Sequence, residues 1–261
     1  MSMMWYVAAV TVISGVVSTG VGGLLGAVAC RDSSRIISLL LSFAGGIMLS
    51  LVTFDLLPEA LGSAKTASGT HVAFVMVSVL VGYLVVLLLK KAVEKYSPET
   101  SDAVPVPGIA QKTKLRRAGI LMFLAIALHN FPEGMVIGAT FAPGGGALTG
   151  GILMAILIGL HDVPEGMAVS VPLVAGGISR PMAVLLSAAS GIPTILGAVT
   201  GYWLGVSGPL SLSFSLGFAG GAMLCVVFSD LIPEALAVWH SDLSAFAVLL
   251  GMISGVAVIY L

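Results

Sequence analysis

The feature that most limits this chain is a succession of eight apolar runs, each long enough to cross a bilayer. A spanning helix needs about 20 mostly apolar residues. Apolar runs read against polar breaks give spans near 4–29, 36–62, 72–90, 117–141, 147–175, 182–205, 210–238 and 243–261. The breaks are short, among them Arg31-Asp32-Ser33-Ser34-Arg35, Pro143-Gly144-Gly145-Gly146 and Ser207-Gly208-Pro209. Long segments of alternating apolar and polar residues are absent, which disfavours a barrel. Only 9% of residues are charged, against about 25% in a soluble domain. The formal charge of −1 offers no footprint for nucleic acid. Two cysteines, Cys30 and Cys225, cannot build a disulfide framework. The expected fold is all-α and integral to the membrane, a single transmembrane domain over 1–261.

The first run has no basic stretch ahead of it and is too long for a signal-peptide core, so it reads as a retained helix. With the N-terminus outside, ten of the 11 lysines and arginines fall in inward-facing breaks, and Lys65 alone falls outside. The positive-inside rule selects that orientation. Both termini of this multi-pass chain are then expected outside the cell membrane. The stretch 91–117 holds Pro98, Pro105 and Pro107 among polar residues and reads as a flexible cytoplasmic loop.

Seven of the 12 acidic residues, Asp55, Glu59, Glu133, Asp162, Glu165, Asp230 and Glu234, fall inside these spans. No lysine or arginine is expected deep enough to pair with them. A charged side chain at the centre of a membrane costs about 2.5–3.5 kcal/mol on an insertion scale. Seven facing lipid there would cost about 20 kcal/mol, beyond what a marginally stable fold absorbs. The acids must face a polar interior, carry protons or meet cations. Unpaired intramembrane acids favour a cation pathway.

Two repeats arrange them. Leu128-His129-Asn130-Phe131-Pro132-Glu133-Gly134-Met135 recurs as Leu160-His161-Asp162-Val163-Pro164-Glu165-Gly166-Met167, with six of eight positions identical. The copies lie on consecutive spans, four and five, and run in opposite directions. In each, His and Glu stand four apart and share a helix face. Each proline removes a helix hydrogen bond and frees the carbonyl of Leu128 or Leu160, a break tolerated where a cavity or other groups satisfy it. The second repeat relates Leu41–Leu61 to Leu216–Leu236, with 14 of 21 positions identical. Its copies end spans two and seven, five crossings apart, so the second is inverted. At about 1.5 Å per residue, His129 lies roughly 17 Å into its helix, near the midplane. Asp55 falls near the outer face and Asp230 near the inner one, giving an outer pair, a central cluster and an inner pair of acids.

These motifs resemble those of the ZIP (Zrt/Irt-like) family of divalent metal transporters, bacterial type. His129 to Gly134 looks like that family's motif on helix four, and His161 to Gly166 like its partner on helix five. The resemblance implies eight helices, with an inverted repeat of helices 1–3 and 6–8 around central helices 4 and 5. It implies uptake of zinc, or of iron, manganese or cadmium, into the cytoplasm by a transporter and not an enzyme. It also implies a dimer moving by an elevator-like displacement. The metal is substrate, and no resident cofactor is expected. By that match His129, Glu133, His161 and Glu165 resemble one metal position. Asn130 and Asp162, with the two glutamates bridging, resemble a second. Asp55, Glu59, Asp230 and Glu234 occupy positions that suggest entrance and exit groups.

Two departures stand out. A Glu-Pro pair that bacterial relatives often carry on helix six is replaced here by Thr194 and Ile195, so the second position loses one of its carboxylates. The loop at 91–117 has no histidine, which removes the basis for zinc sensing there. Met135 and Met167 are expected to pack, His71 and His240 to sit in solvated loops, and Cys225 to fill apolar space. Gly197, Gly201 and Gly205 are expected to permit close helix packing. Two other functions fit parts of the pattern. A proton-coupled cation exchanger would also use acids without basic partners. An intramembrane metallohydrolase would want two histidines on one helix, where each helix here gives one.

Overall fold

The computed structural model describes residues 3–29, 34–65, 71–96, 109–142 and 148–260. Among the described residues all regular structure is helical. Eight helices are long and apolar enough to span a membrane: α1 (Met3–Val28), α2 (Arg35–Lys65), α3 (Val72–Ala92), α4 (Leu115–Thr140), α5 (Leu148–Ala175), α6 (Arg180–Val206), α7 (Pro209–Val238) and α8 (Asp242–Tyr260). Each lies within a few residues of the span expected from hydropathy. The helix of α3 runs from His71 to Tyr96 and that of α4 begins at Ile109. The ends of the expected loop at 91–117 are therefore helical, and residues 97–108 lie outside the described set. His71 begins a helix where a loop was expected.

Packing follows the inverted repeat. Helix α1 lies against α5 and α6 against α4, while α2 lies against α8 and α7 against α3, with α4 and α5 side by side. The glycine contacts fall in mated pairs. A Cβ on Gly134 would sit 2.0 Å from the Thr194 carbonyl oxygen, and one on Gly166 would sit 2.0 Å from that of Thr19. Gly197 meets the Phe131 carbonyl as Gly22 meets that of Val163. Gly46 and Gly221 likewise rest on the carbonyls of Val248 and Val79. The pairs Thr19/Thr194, Gly22/Gly197 and Gly46/Gly221 share one spacing of 175. The repeat thus runs on through α1 and α6, beyond the segment that sequence identity marks. Gly201 meets Met135 and Gly205 meets Ala142, so the glycine series on α6 does bring two helices together.

Among the described residues three spans contain a π turn. Helices α2 and α7 each contain a π turn, Val52–Leu56 and Val227–Leu231, just ahead of Pro58 and Pro233. A proline has no N–H to give and crowds the preceding turn, and a wider turn relieves both. Pro132 and Pro164 instead sit inside continuous helix. Helix α1 carries a third π turn, Val12–Val17. It crosses α6 at the break around Gly191, where a Cβ would fall 2.6 Å from the Gly15 carbonyl carbon. Leu41, Met48, Leu51, Leu56, Leu216 and Met223 fill the interior. Leu80, Leu84 and Leu88 on α3 and Leu249 and Ile253 on α8 are exposed, an apolar face suited to lipid. Met135, Met167 and Cys225 are buried packing residues, and His240 is an exposed loop residue.

Candidate metal centre

Glu133, His161 and Asp162 offer ligand atoms that all lie within 4.8 Å of one another, and all three residues are fully buried. The two motif copies build this cluster because α4 and α5 pack side by side and antiparallel, with Glu133 on one facing His161 on the other, while Gly134 and Gly166 seat the two helices on α6 and α1. His161 Nδ1 lies 3.1 Å from the Leu157 carbonyl, one turn earlier, and donates to it. That bond leaves the Nε2 lone pair of a neutral ring free. Nε2 points at Glu133 Oε1 at 3.0 Å and at Asp162 Oδ1 at 3.5 Å. A lone pair facing carboxylate oxygens requires a proton or a cation between them. Ligands about 2.0–2.2 Å from zinc at ordinary bond angles lie about 2.9–3.5 Å apart. The spacing therefore fits one shared ion.

The remaining motif residues surround this cluster without entering it. Asn130 is buried and donates from Nδ2 to the Ser190 carbonyl at 2.7 Å, fixing α4 to α6. Its Oδ1 has no hydrogen-bond partner among the described residues, and neither do the carboxylate oxygens of Glu165 or the Thr194 hydroxyl. Thr194 is buried against α1, where a Cβ on Gly15 would fall 2.5 Å from its Oγ1. His129 and Glu165 each lie within electrostatic reach of both Glu133 and Asp230. They bridge the buried cluster and the acid pair on α7.

Beside His129 is a cavity of about 440 Å³, lined by Met122, Ala125 and His129 of α4, Pro172 of α5, Lys90 of α3 and Asp230 and Glu234 of α7. Asp55, Glu59, Asp230 and Glu234 are half-buried, whereas Glu133, Asp162 and Glu165 are fully buried. One expectation is corrected here. Asp230 was expected to lack a basic partner, yet Lys90 forms an ion pair with it and donates to the Ser229 carbonyl at 2.8 Å. Lys90 lies in the last turns of the apolar run of α3, so its stem can follow the helix while its ammonium reaches α7. The available signal was depth: with α3 and α7 running to the same end of the bundle, Lys90 and Asp230 fall at one level. Among the described residues no lysine or arginine pairs with Asp55 or Glu59.

Fold and site together define an integral membrane bundle that buries a nitrogen-and-carboxylate cluster suited to a divalent metal. The sequence matches the ZIP zinc transporter family over residues 2–113 and 107–261, and the chain belongs to that family. It is 32% identical to the zinc transporter ZupT of Chlorobaculum parvum over 233 residues, covering 86% of this chain and 85% of that protein. It is 32% identical to the ZupT of Chlorobium chlorochromatii over 253 residues, 94% and 93% of the two chains. The ZupT of Campylobacter jejuni is 33% identical over 271 residues, 94% and 91%.

Proposed function

We propose that this protein moves divalent metal, zinc foremost, across the cell membrane into the cytoplasm through the cluster on α4 and α5. The observation that carries this reading is the buried Glu133, His161 and Asp162 group, with a separate cavity beside His129 that reaches the Asp230 and Glu234 pair at one end of the bundle. The relatives' designation as zinc transporters supports the same cargo. Imidazole and carboxylate donors without thiolate suit zinc, with iron(II), manganese and cadmium as competitors whose ranking depends on geometry and supply.

Glu133, His161 and Asp162 hold the ion first in this scheme. Glu165 and His129 take it onward to Asp230 and Glu234. Asn130 and Thr194 add neutral oxygens beside it, and Asp55 and Glu59 gather ions at the opposite face. The positive-inside rule puts the Lys90 end in the cytoplasm and both termini outside. The setting is the inner membrane, where the family resemblance suggests a dimer. The metal is cargo, so no resident cofactor enters the scheme. The test is zinc uptake into proteoliposomes with iron(II), manganese and cadmium as competitors. Saturable zinc entry that the other metals reduce is expected. Absence of flux for every metal would overturn the reading, and peptide hydrolysis without flux would replace it with a metallohydrolase.

A further inference from the structure

The inverted repeat relates the two ends of the pathway, and it exposes one difference in charge between them. Asp55 and Asp230 are mates at the spacing of 175, as are the π turns that carry them. A π turn shifts the backbone hydrogen-bond register and opens its carbonyls to other donors. In α7 the Ser229 carbonyl takes a hydrogen bond from Lys90, which also pairs with Asp230. The mate of Ser229 is Phe54, whose carbonyl lies 3.5 Å from the hydroxyl of Tyr260. Helices α3 and α8 are mates at a spacing of 169, because Val79 and Gly82 make on α7 the contacts that Val248 and Gly251 make on α2. The residue 169 positions after Lys90 is Ile259. One acid pair thus has a lysine at its side, and its mate has an isoleucine.

We propose that Lys90 is a tethered cation that occupies Asp230 between metal passages and keeps the Asp230–Glu234 end of the pathway a weak metal site. The proposal rests on the transport reading above. An ammonium and a metal ion compete for the same carboxylate, so an arriving dication must displace Lys90, and Lys90 returns once the metal has gone. That competition lowers affinity where metal leaves. Among the described residues Asp55 and Glu59 have no such competitor, which suits the end where metal is captured. Similar acid pairs on similar π turns are thereby set to opposite tasks. The Lys90 side chain is 24% exposed and lines the cavity, so it has room to swing off Asp230. A compact ammonium on a flexible stem can release a carboxylate and take it again more readily than a planar guanidinium fork.

The experiment pairs calorimetric zinc titration of the purified full chain with zinc uptake in proteoliposomes. Lys90→Met is expected to tighten the weaker class of zinc binding about tenfold and to lower both KM and kcat for uptake. Adding Asp230→Asn should remove that gain. Lys90→Arg keeps the charge in a fork that holds the carboxylate harder, and should bind zinc no more tightly than the parent does. Lys90→Gln keeps a donor for the Ser229 carbonyl without the charge, and should repeat the Met result if the Met variant fails to fold. Ile259→Lys puts a cation at the mate position, and should raise KM for uptake with little change in kcat. Unchanged zinc affinity in Lys90→Met and Lys90→Gln would overturn the proposal. So would reduced uptake without tighter binding, which marks a lysine that merely staples α3 to α7. A parent protein that binds zinc but moves none defeats the transport reading instead, because the titration reads Lys90 separately.

Discussion

The two ring nitrogens of His161 are committed differently, and that division sets the chemistry of the central cluster. Nδ1 is held by the Leu157 carbonyl, so Nε2 is presented to Glu133 and Asp162. Loss of Glu133 would remove one of two carboxylates from that point, and loss of Glu165 would remove the next acid toward Asp230. Glu133→Ala or Glu165→Ala is therefore expected to cut zinc uptake by more than about 100-fold, since even outer-shell changes cost about 10–100-fold in metal affinity. Near-parental uptake by either folded variant would rule out the cluster as the transport site. Charge also limits how many metals bind. Glu133, Asp162 and Glu165 supply three negative charges, whereas two dications about 3.5–4 Å apart bring four positive ones. Asn130 and Thr194 add only neutral oxygens. One tight zinc per chain is expected from elemental analysis of desalted protein, and two fully occupied zincs at micromolar free zinc would refute the charge argument. Thr194→Glu should strengthen a second position, although Gly15 crowds that side chain. The motif residues were readable from sequence because doubled H-x-x-P-E-G spacing fixes which side chains share a helix face. Which of them share a ligand shell was not, since that depends on how α4 and α5 cross.

At the scale of helices, hydropathy located all eight spans, because an apolar run of about 20 residues has few other uses. The π turns left no such mark: widening a helix by one residue changes hydrogen-bond register and leaves composition untouched. The π turns fall ahead of Pro58 and Pro233, whereas the helix is continuous through Pro132 and Pro164, and each of these two π turns carries an acid. The Lys90 pairing was legible only as a shared depth, because its partner lies 140 positions away and depends on α3 packing beside α7. Asp55→Asn and Asp230→Asn are each expected to slow transport more than they weaken zinc binding at the central cluster. Titration beside flux measurement checks this, and a large loss of central affinity at unchanged rate would contradict it. The glycine contacts are a separate test of the helix arrangement. A Cβ at Gly134 would meet the Thr194 carbonyl oxygen at 2.0 Å, and nothing lies within 4 Å of one at Gly150. Gly134→Ala should destabilise the bundle by about 1–3 kcal/mol through overpacking, seen as a lower thermal midpoint. Gly150→Ala should leave the midpoint unchanged, and equal midpoints for both variants would show that α4 and α6 do not touch there.

Across the whole molecule the inverted repeat is near-complete in packing yet unequal in access. Met122 and Ala125 are half-buried and line the cavity beside His129. Their mates at the 32-residue spacing of the two histidines, Met154 and Leu157, are 3% and 1% exposed, beside a His161 with no exposure. Among the described residues a cavity therefore opens beside these positions toward Lys90, while their mates toward Asp55 are packed over. A repeat of this kind can exchange the two conditions, because the main helix contacts on one side have counterparts on the other that could open in their place. Cysteine accessibility would detect the exchange. In protein lacking Cys30 and Cys225, Ala125→Cys should react rapidly with a membrane-impermeant maleimide, and only from the Lys90 face. Leu157→Cys should react at least about tenfold more slowly, and only from the opposite face, because its reaction waits on a minor population. Leu157→Cys also shortens a core side chain, so its folding is checked by size exclusion before its rate is read. Zinc binds groups that both arrangements share, so it should change the two rates in opposite directions if it favours one arrangement over the other. Labelling of both cysteines from the same face would mean that the bundle has one fixed opening, and the repeat would then be a relic of duplication with no part in transport.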